Sequence, residues 1–280
     1  MSRQIELLAL DVDGTLAARG NEVTTSTVDA LRELSATGIE IALCTGRRYR
    51  STAPILEALG LRLHAVCLGG ALVKDPYGET FSSTCFSPGH FAKLARLIRE
   101  QGQAVIAQCD RRSCDFAVDG SVPWNPETAL YHRINEAHAE WRPELYAEER
   151  DDVLVVGSFG SLGQMNELRE AIEGAFAGEY TVHVLRSVGP DAWYCEVLQR
   201  GVDKWTGLSQ LAECLGVAAA QICAVGDERN DIPVLREVGL GIAMENGRDE
   251  LKQIASRVVG PCDDDGLVPL LRELAERRRA

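Results

Sequence analysis

The sequence has no apolar run approaching the roughly 20 residues that a membrane-spanning helix needs, so no such span is expected. Its start lacks a basic segment leading into an apolar stretch, so a secretory signal is not expected either, and the reading is a cytoplasmic protein. No Cys-x-x-Cys pair occurs, and the nine cysteines (Cys44, Cys67, Cys85, Cys109, Cys114, Cys195, Cys214, Cys223 and Cys262) are odd in number. Several lie inside apolar runs such as "IALCTG" and "ICAVGD". They read as buried thiols of a reducing compartment rather than as disulfides or a zinc site. Positive charge is also short: the formal net charge is -13, and the only lysines are Lys74, Lys93, Lys204 and Lys252. Such a chain repels nucleic acid backbones and anionic membranes unless it segregates a basic face. The one dense basic tract, "ERRRA" at the end, reads as the carbonyl end of a helix, where cations suit the dipole. Repeats and low-complexity tracts are absent.

What is present is enough apolar residue, 45% of 280, for a full core. The first third alternates between buried-looking strands ("IELLAL", "IEIALC", "LHAVCL") and helical spacing over Thr24–Thr37 and Arg48–Leu59, closed by Gly38 and Gly60. Strand, helix, strand with short connections predicts a parallel sheet with helices on its faces. "DPYG" then marks a turn between two extended stretches. From about Thr84 to Gln199 the rhythm changes, with helices at Pro88–Glu100 and Leu162–Ala175 among strand-like runs. After Gly201 the α/β alternation returns. The expected architecture is α/β: a Rossmann-like parallel-sheet core split in sequence (1–83 and 200–280), with an inserted α+β domain (84–199).

The chemistry collects where strands end. The first strand runs into Asp11, Val12, Asp13, Gly14 and Thr15. Residues two apart on an extended chain share a side, so both acids are expected to leave the strand's carboxyl edge, where open α/β sheets place ligands. Gly14 allows a turn and a close backbone approach. "IALCTGRR" ends in Thr45, Gly46 and Arg47; "GVDKWTGL" opens a helix with Lys204; "QICAVGDERNDI" ends in Gly226 and Asp227, with Asn230 and Asp231 following. Each alone reads as a cap, a dipole complement or a solvated charge. Together they converge on one sheet edge. Two carboxylates about 4 Å apart repel by roughly 4 kcal/mol at an effective dielectric of 20. A group of four therefore calls for a cation, and oxygen ligands alone point to Mg²⁺.

These segments resemble, in order and spacing, those of the haloacid dehalogenase superfamily. The nearest likeness is to its Cof-type phosphatases, which carry a large α/β (type IIB) cap. The likeness rests on "DVDGTL", "CTGR", "GVDK", "GDERNDIPVL", "GLGIAMENG" and "DDDGLVPLL", and covers nearly the whole chain. The resemblance implies a Mg²⁺-dependent phosphatase acting on a small phosphorylated metabolite, a sugar phosphate first. It implies Asp11 as nucleophile, Asp13 as general acid and base, and Thr45 and Lys204 on the phosphoryl oxygens. The implied metal site is the Asp11 and Asp227 carboxylates, the Asp13 carbonyl, and Asp231, which holds a metal-bound water or orients Lys204. Backbone N–H groups near Gly14 and Gly46, with Asn230, would assist the phosphoryl group, and Arg47 would touch substrate. A phosphomutase or a non-catalytic phospho-metabolite sensor would use the same scaffold.

Two residues depart from the family pattern: Gly69 stands where Asn is frequent, and Trp205 where glycine is common. In the cap, Arg111, Arg112, Trp124, His132, Trp141, His183 and Trp193 are the chemically capable side chains, none singled out over the rest.

Overall fold

The computed structural model describes residues 4–18, 22–187 and 189–279. Two compact units emerge: Met1–Ser82 with Asp203–Ala280, and Ser83–Val202.

The first unit begins β1 (Leu7–Leu10), α1 (Thr25–Ser35), β2 (Glu40–Cys44), α2 (Tyr49–Leu59), β3 (His64–Cys67), β4 (Leu72–Lys74) and β5 (Thr80–Ser83). The second unit follows as α3 (Pro88–Glu100), β6 (Ile106–Gln108), β7 (Phe116–Asp119), α4 (Pro126–Ile134), β8 (Ala139–Arg142), β9 (Val155–Gly160), α5 (Leu162–Ala175), β10 (Tyr180–Arg186) and β11 (Trp193–Gln199). The chain then returns to the first unit with α6 (Lys204–Leu215), β12 (Ile222–Gly226), α7 (Ile232–Glu237), β13 (Leu240–Met244), α8 (Asp249–Ile254), β14 (Arg257–Val259) and α9 (Val268–Arg279).

The core sheet runs β14-β13-β12-β1-β2-β3-β4-β5. Its strands from β14 to β3 are parallel, and β4 turns antiparallel to β3. Both faces are covered, so β1 is apolar at every position. Leu8 and Leu10 pack with α1, α2 and α9, whereas Leu7 and Ala9 pack with α6, α7 and α8. Burial of each leucine contributes about 1.5–3 kcal/mol. The alternation carries past the strand: Asp11 falls on the face of Leu7 and Ala9, the side where α6 lies.

Chain order reverses at β1, which has β2 on one side and β12, from the far end of the sequence, on the other. Register pairs Leu10 with Val225 and with Leu43. The residues just beyond all three strands therefore stand together at one carboxyl edge, the ligand position of such sheets.

In the second unit the sheet order is β10-β11-β9-β6-β7-β8, with only β7 and β8 parallel among the paired strands. Phe91, Leu94 and Ile98 of α3 and Met165, Leu168 and Ile172 of α5 pack on Ala107, Ala117, Val156, Cys195 and Val197. The sequence reading had not distinguished α4 or β8.

The start of α6 is held by a backbone crossing. Leu68, Gly69 and Gly70 have φ of 52°, 61° and 106°. A Cβ on Gly70 would lie 1.8 Å from the Asp203 carbonyl oxygen, and one on Gly207 would lie 2.8 Å from the Gly70 oxygen. Only bare backbone lets this turn and the first turn of α6 approach so closely. Gly207→Ala is expected to destabilise the protein by about 1–3 kcal/mol, the usual cost of overpacking, in urea unfolding. A loss under about 0.5 kcal/mol, the range of an indifferent surface change, would show that the crossing does not constrain α6.

Candidate active site

Asp11 stays in line with its strand for one more residue: its N–H donates to the Val225 carbonyl at 3.0 Å. Its side chain is buried, and Lys204 Nζ lies 2.6 Å from Asp11 Oδ1 and 2.6 Å from Asp231 Oδ1. Lys204 is the first residue of α6, capped by Asp203, whose carboxylate accepts from the Thr206 N–H at 2.9 Å. Asp231 is fully engaged, because its Oδ2 accepts from the Asp227 and Glu228 N–H groups at 3.0 Å each. One carboxylate thus sets both the lysine and the turn that carries Asp227.

Asp227 accepts from the Thr15 hydroxyl at 3.3 Å. Gly14, at φ +82°, lies against its other oxygen; a Cβ there would be 2.4 Å from Asp227 Oδ2. Asp11, Asp227 and Asp231 each offer a carboxylate oxygen within 4.8 Å of the others. Burial raises the Asp11 carboxyl well above the usual range; Lys204 opposes the rise, and the other two acids add to it. Burial, then the charge of Asp231, pushes Asp227 up to about 6, against the pull of Asp11 and Lys204. Burial alone would lower Lys204, but the two carboxylates at 2.6 Å override it and hold the ammonium charged. Three carboxylates thus face one ammonium, in an all-oxygen donor set that suits a hard divalent cation.

Asp13 corrects an expectation. Its side chain does not follow Asp11, because the Val12 carbonyl accepts from the N–H groups of both Leu16 and Ala17 and so turns the chain out of the strand. The Asp13 carboxylate is 63% exposed and outside the three-acid group. It is held two-pronged by Arg47, Nε to Oδ2 at 2.8 Å and Nη2 to Oδ1. Any part it plays at a metal falls to its backbone carbonyl. The Gly14 N–H donates to the Ala17 carbonyl at 3.0 Å, and the residue makes the close approach to Asp227.

Thr45 is buried one residue past β2, its hydroxyl accepting from the Arg47 N–H at 3.1 Å. Gly46 lies near Asn230, whose Nδ2 would be 3.9 Å from a Cβ at position 46. Asn230 Oδ1 is buried with no hydrogen-bond partner among the described residues, a polar atom suited to receive one. Trp205 packs against the apolar cluster under α6 and is accounted for by packing.

The side chains singled out in the inserted unit serve varied ends. Arg111 pairs with Glu140 and Asp152, Trp124 donates to the Asp119 carbonyl at 2.6 Å and meets the His132 ring at a tilt, and Trp193 packs on the α3–α5 core. His183 stands opposite Glu196 across β10 and β11, and Trp141 is exposed. Sequence reasoning passed over two site neighbours. Thr15 carried a signal, a hydroxyl directly after Asp-x-Asp-Gly. Asn246 donates to the Gly14 carbonyl at 2.8 Å, and its signal was its place in "GLGIAMENG", the run that carries a fourth parallel strand into its turn.

Comparison with known proteins identifies the family. The chain is 25% identical to the phosphatase YwpJ of Bacillus subtilis over 96% of this chain and 100% of that one. It is 27% identical to the 5-amino-6-(5-phospho-D-ribitylamino)uracil phosphatase YitU of the same organism, over 95% and 96%. Among solved structures, BT1666 of Bacteroides thetaiotaomicron, described among phosphatases of the haloalkanoate enzyme superfamily, superposes with a TM-score of 0.78 at 26% identity, covering 97% and 95%. The family model for haloacid dehalogenase-like hydrolases matches residues 8–271, and the chain belongs to that family.

Proposed function

We propose that this protein hydrolyses a small phosphorylated metabolite through an aspartyl-phosphate on Asp11. The observation that carries the reading is the buried Lys204 set between Asp11 and Asp231, with Asp227 completing a three-acid group. Asp11, Asp227 and the Asp13 carbonyl would hold Mg²⁺, which when bound offsets charge on the acids and on the phosphoryl oxygens.

With Oδ1 on Lys204, Asp11 Oδ2 is the oxygen that attacks phosphorus. The bond to the leaving oxygen breaks, and Asp13 gives that oxygen a proton. Asp13 then takes a proton from water as the water oxygen bonds phosphorus and the Asp11–phosphorus bond breaks. Lys204 and the Thr45 hydroxyl stabilise charge on the transferring group, and the Asn230 amide N–H₂, near Gly46, would be a further donor to its oxygens. Arg47, paired with exposed Asp13, is the cation that an anionic substrate meets at that acid. Sugar phosphates lead as substrates, because YitU is named for a phosphorylated ribityl compound and YwpJ for phosphatase activity. The inserted unit would act as the cap that selects the leaving group.

Phosphate release from a panel of sugar phosphates, with and without Mg²⁺, tests the reading. Release should require the metal, and Asp11→Asn, nearly isosteric, should lose at least about 10³-fold in kcat while still folding. Activity surviving that change would overturn the nucleophile assignment; tight binding without release, or transfer to a sugar hydroxyl, would replace hydrolysis with a sensor or a mutase.

Divalent-cation binding should depend on pH through Asp227. Its folded-state value of about 6 lies above the ordinary 3.8, so the folded protein takes up a proton that the unfolded chain does not. That contribution favours folding on the acid side and is lost as pH rises through 6. A cation must displace the same proton. Mg²⁺ affinity by calorimetry should fall about tenfold or more per unit below pH 6. Unchanged affinity at pH 5 would exclude Asp227 as a ligand.

A further inference from the structure

Asn246 belongs to none of the roles assigned above, yet it is tied to the site at both ends of its amide. It lies in the turn after β13, which folds back over Asp227: the Arg248 N–H donates to the Asp227 carbonyl at 2.9 Å, and the Gly247 N–H to the Met244 carbonyl at 3.0 Å. The fit is close, since a Cβ on Gly247 would lie 3.0 Å from Asp227 Cα. From this turn Asn246 Nδ2 donates to the Gly14 carbonyl at 2.8 Å, and Asn246 Oδ1 accepts from the Cys262 N–H at 2.9 Å. One side chain therefore joins the loops that follow β1, β13 and β14.

We propose that Asn246 is a positioning residue that sets the place of the Asp227 carboxylate and so the divalent-cation affinity of the site. The path is short. Asn246 holds Gly14; Gly14 rests against Asp227 Oδ2; and Thr15, the next residue, bonds Asp227 Oδ1. Asp227 is thus gripped from one side by a loop whose anchor is Asn246, and from behind by the turn that carries Asn246. Without the amide, the Gly14–Thr15 segment keeps its internal bonds and the 3.3 Å Thr15–Asp227 bond, and the wall that aims Asp227 at Asp11 loses its tether to the turn after β13. Groups that orient a metal ligand without touching the metal typically change affinity by about 10–100-fold. Asn246 is itself exposed, so its loss removes no buried packing, and an altered affinity would not be the by-product of a damaged core.

The inference rests on the metal reading of the preceding section, and the test separates the two. Mn²⁺ serves as the probe, its binding to the full-length protein measured by calorimetry and by loss of its free-ion paramagnetic resonance signal, with no substrate present. Asn246→Ala is expected to unfold within about 0.5 kcal/mol of the parent and to bind Mn²⁺ about tenfold more weakly. In the assay, the Mg²⁺ concentration for half-activation should rise by a similar factor, while kcat at saturating Mg²⁺ stays near the parent value. Asn246→Asp keeps an acceptor for the Cys262 N–H but sets an oxygen against the Gly14 carbonyl, so it should bind Mn²⁺ no better than the alanine variant. Asp227→Asn is the control. If it binds Mn²⁺ like the parent, the metal reading itself fails. If it loses Mn²⁺ while Asn246→Ala binds normally, the metal reading stands and the role given to Asn246 is overturned.

Discussion

The site depends on one buried cation. Lys204 is 1% exposed and stands 2.6 Å from two carboxylates, one from each side of the inserted unit in sequence. Removing a charge from water costs several kcal/mol, and only close, opposite partners offset it. Lys204 without Asp11 would keep one of its two close counter-charges, Asp231, and Asp11 without Lys204 would lose the cation that opposes the rise burial causes in its carboxyl. The ladder between β1 and β12 brings the two core segments together, and the lysine makes that pairing chemically obligatory. Asp231 extends the constraint: the carboxylate that holds Lys204 also holds the backbone of Asp227. Asp11, Lys204 and Asp227 are therefore set by one connected group.

Much of this was legible because the core strands are covered on both faces. Strands of that kind read as unbroken apolar runs, and the polar residue that ends each run is conspicuous. Asp11, Thr45 and Asp227 were visible for that reason, and Asp11 kept the alternation of β1. Asp13 was not legible in direction, since the extended period stops where the Val12 carbonyl takes two turn hydrogen bonds. Its partnership with Arg47 spans two strand ends and leaves no local trace. Asn246 stood in the quoted run "GLGIAMENG", but nothing local shows that its amide reaches Gly14 and Cys262. In the inserted unit α4 went unseen because it buries only Thr128, so its sequence has no apolar stripe, and β8 is no better marked.

The departures from the family pattern become intelligible as backbone requirements. Gly69 sits at φ 61° between Leu68 and Gly70, which are also left-handed. Asparagine and glycine are the residue types that take up this conformation most readily, so exchanging one for the other keeps the turn and forfeits only a side-chain amide. The turn is needed because α6 begins against it, and α6 delivers Lys204. Trp205 likewise adds to the packing under that helix without entering the charged group.

The same accounting bears on how an acidic protein takes an anionic substrate. Charge at long range is screened within about 8 Å at physiological salt, so the net charge of -13 governs approach less than the groups inside the pocket do. Within it, three carboxylates outweigh one ammonium, and a phosphate would meet excess negative charge. Each unit-charge pair about 4 Å apart is worth roughly 4 kcal/mol at an effective dielectric of 20, close to 10³-fold in binding. A bound dication brings the acids and Lys204 to balance, with Arg47 and Asp13 already paired to each other beside them. On the proposed reading, metal dependence thus follows first from the charge needed to admit the substrate, and the acceleration of phosphoryl transfer builds on that requirement.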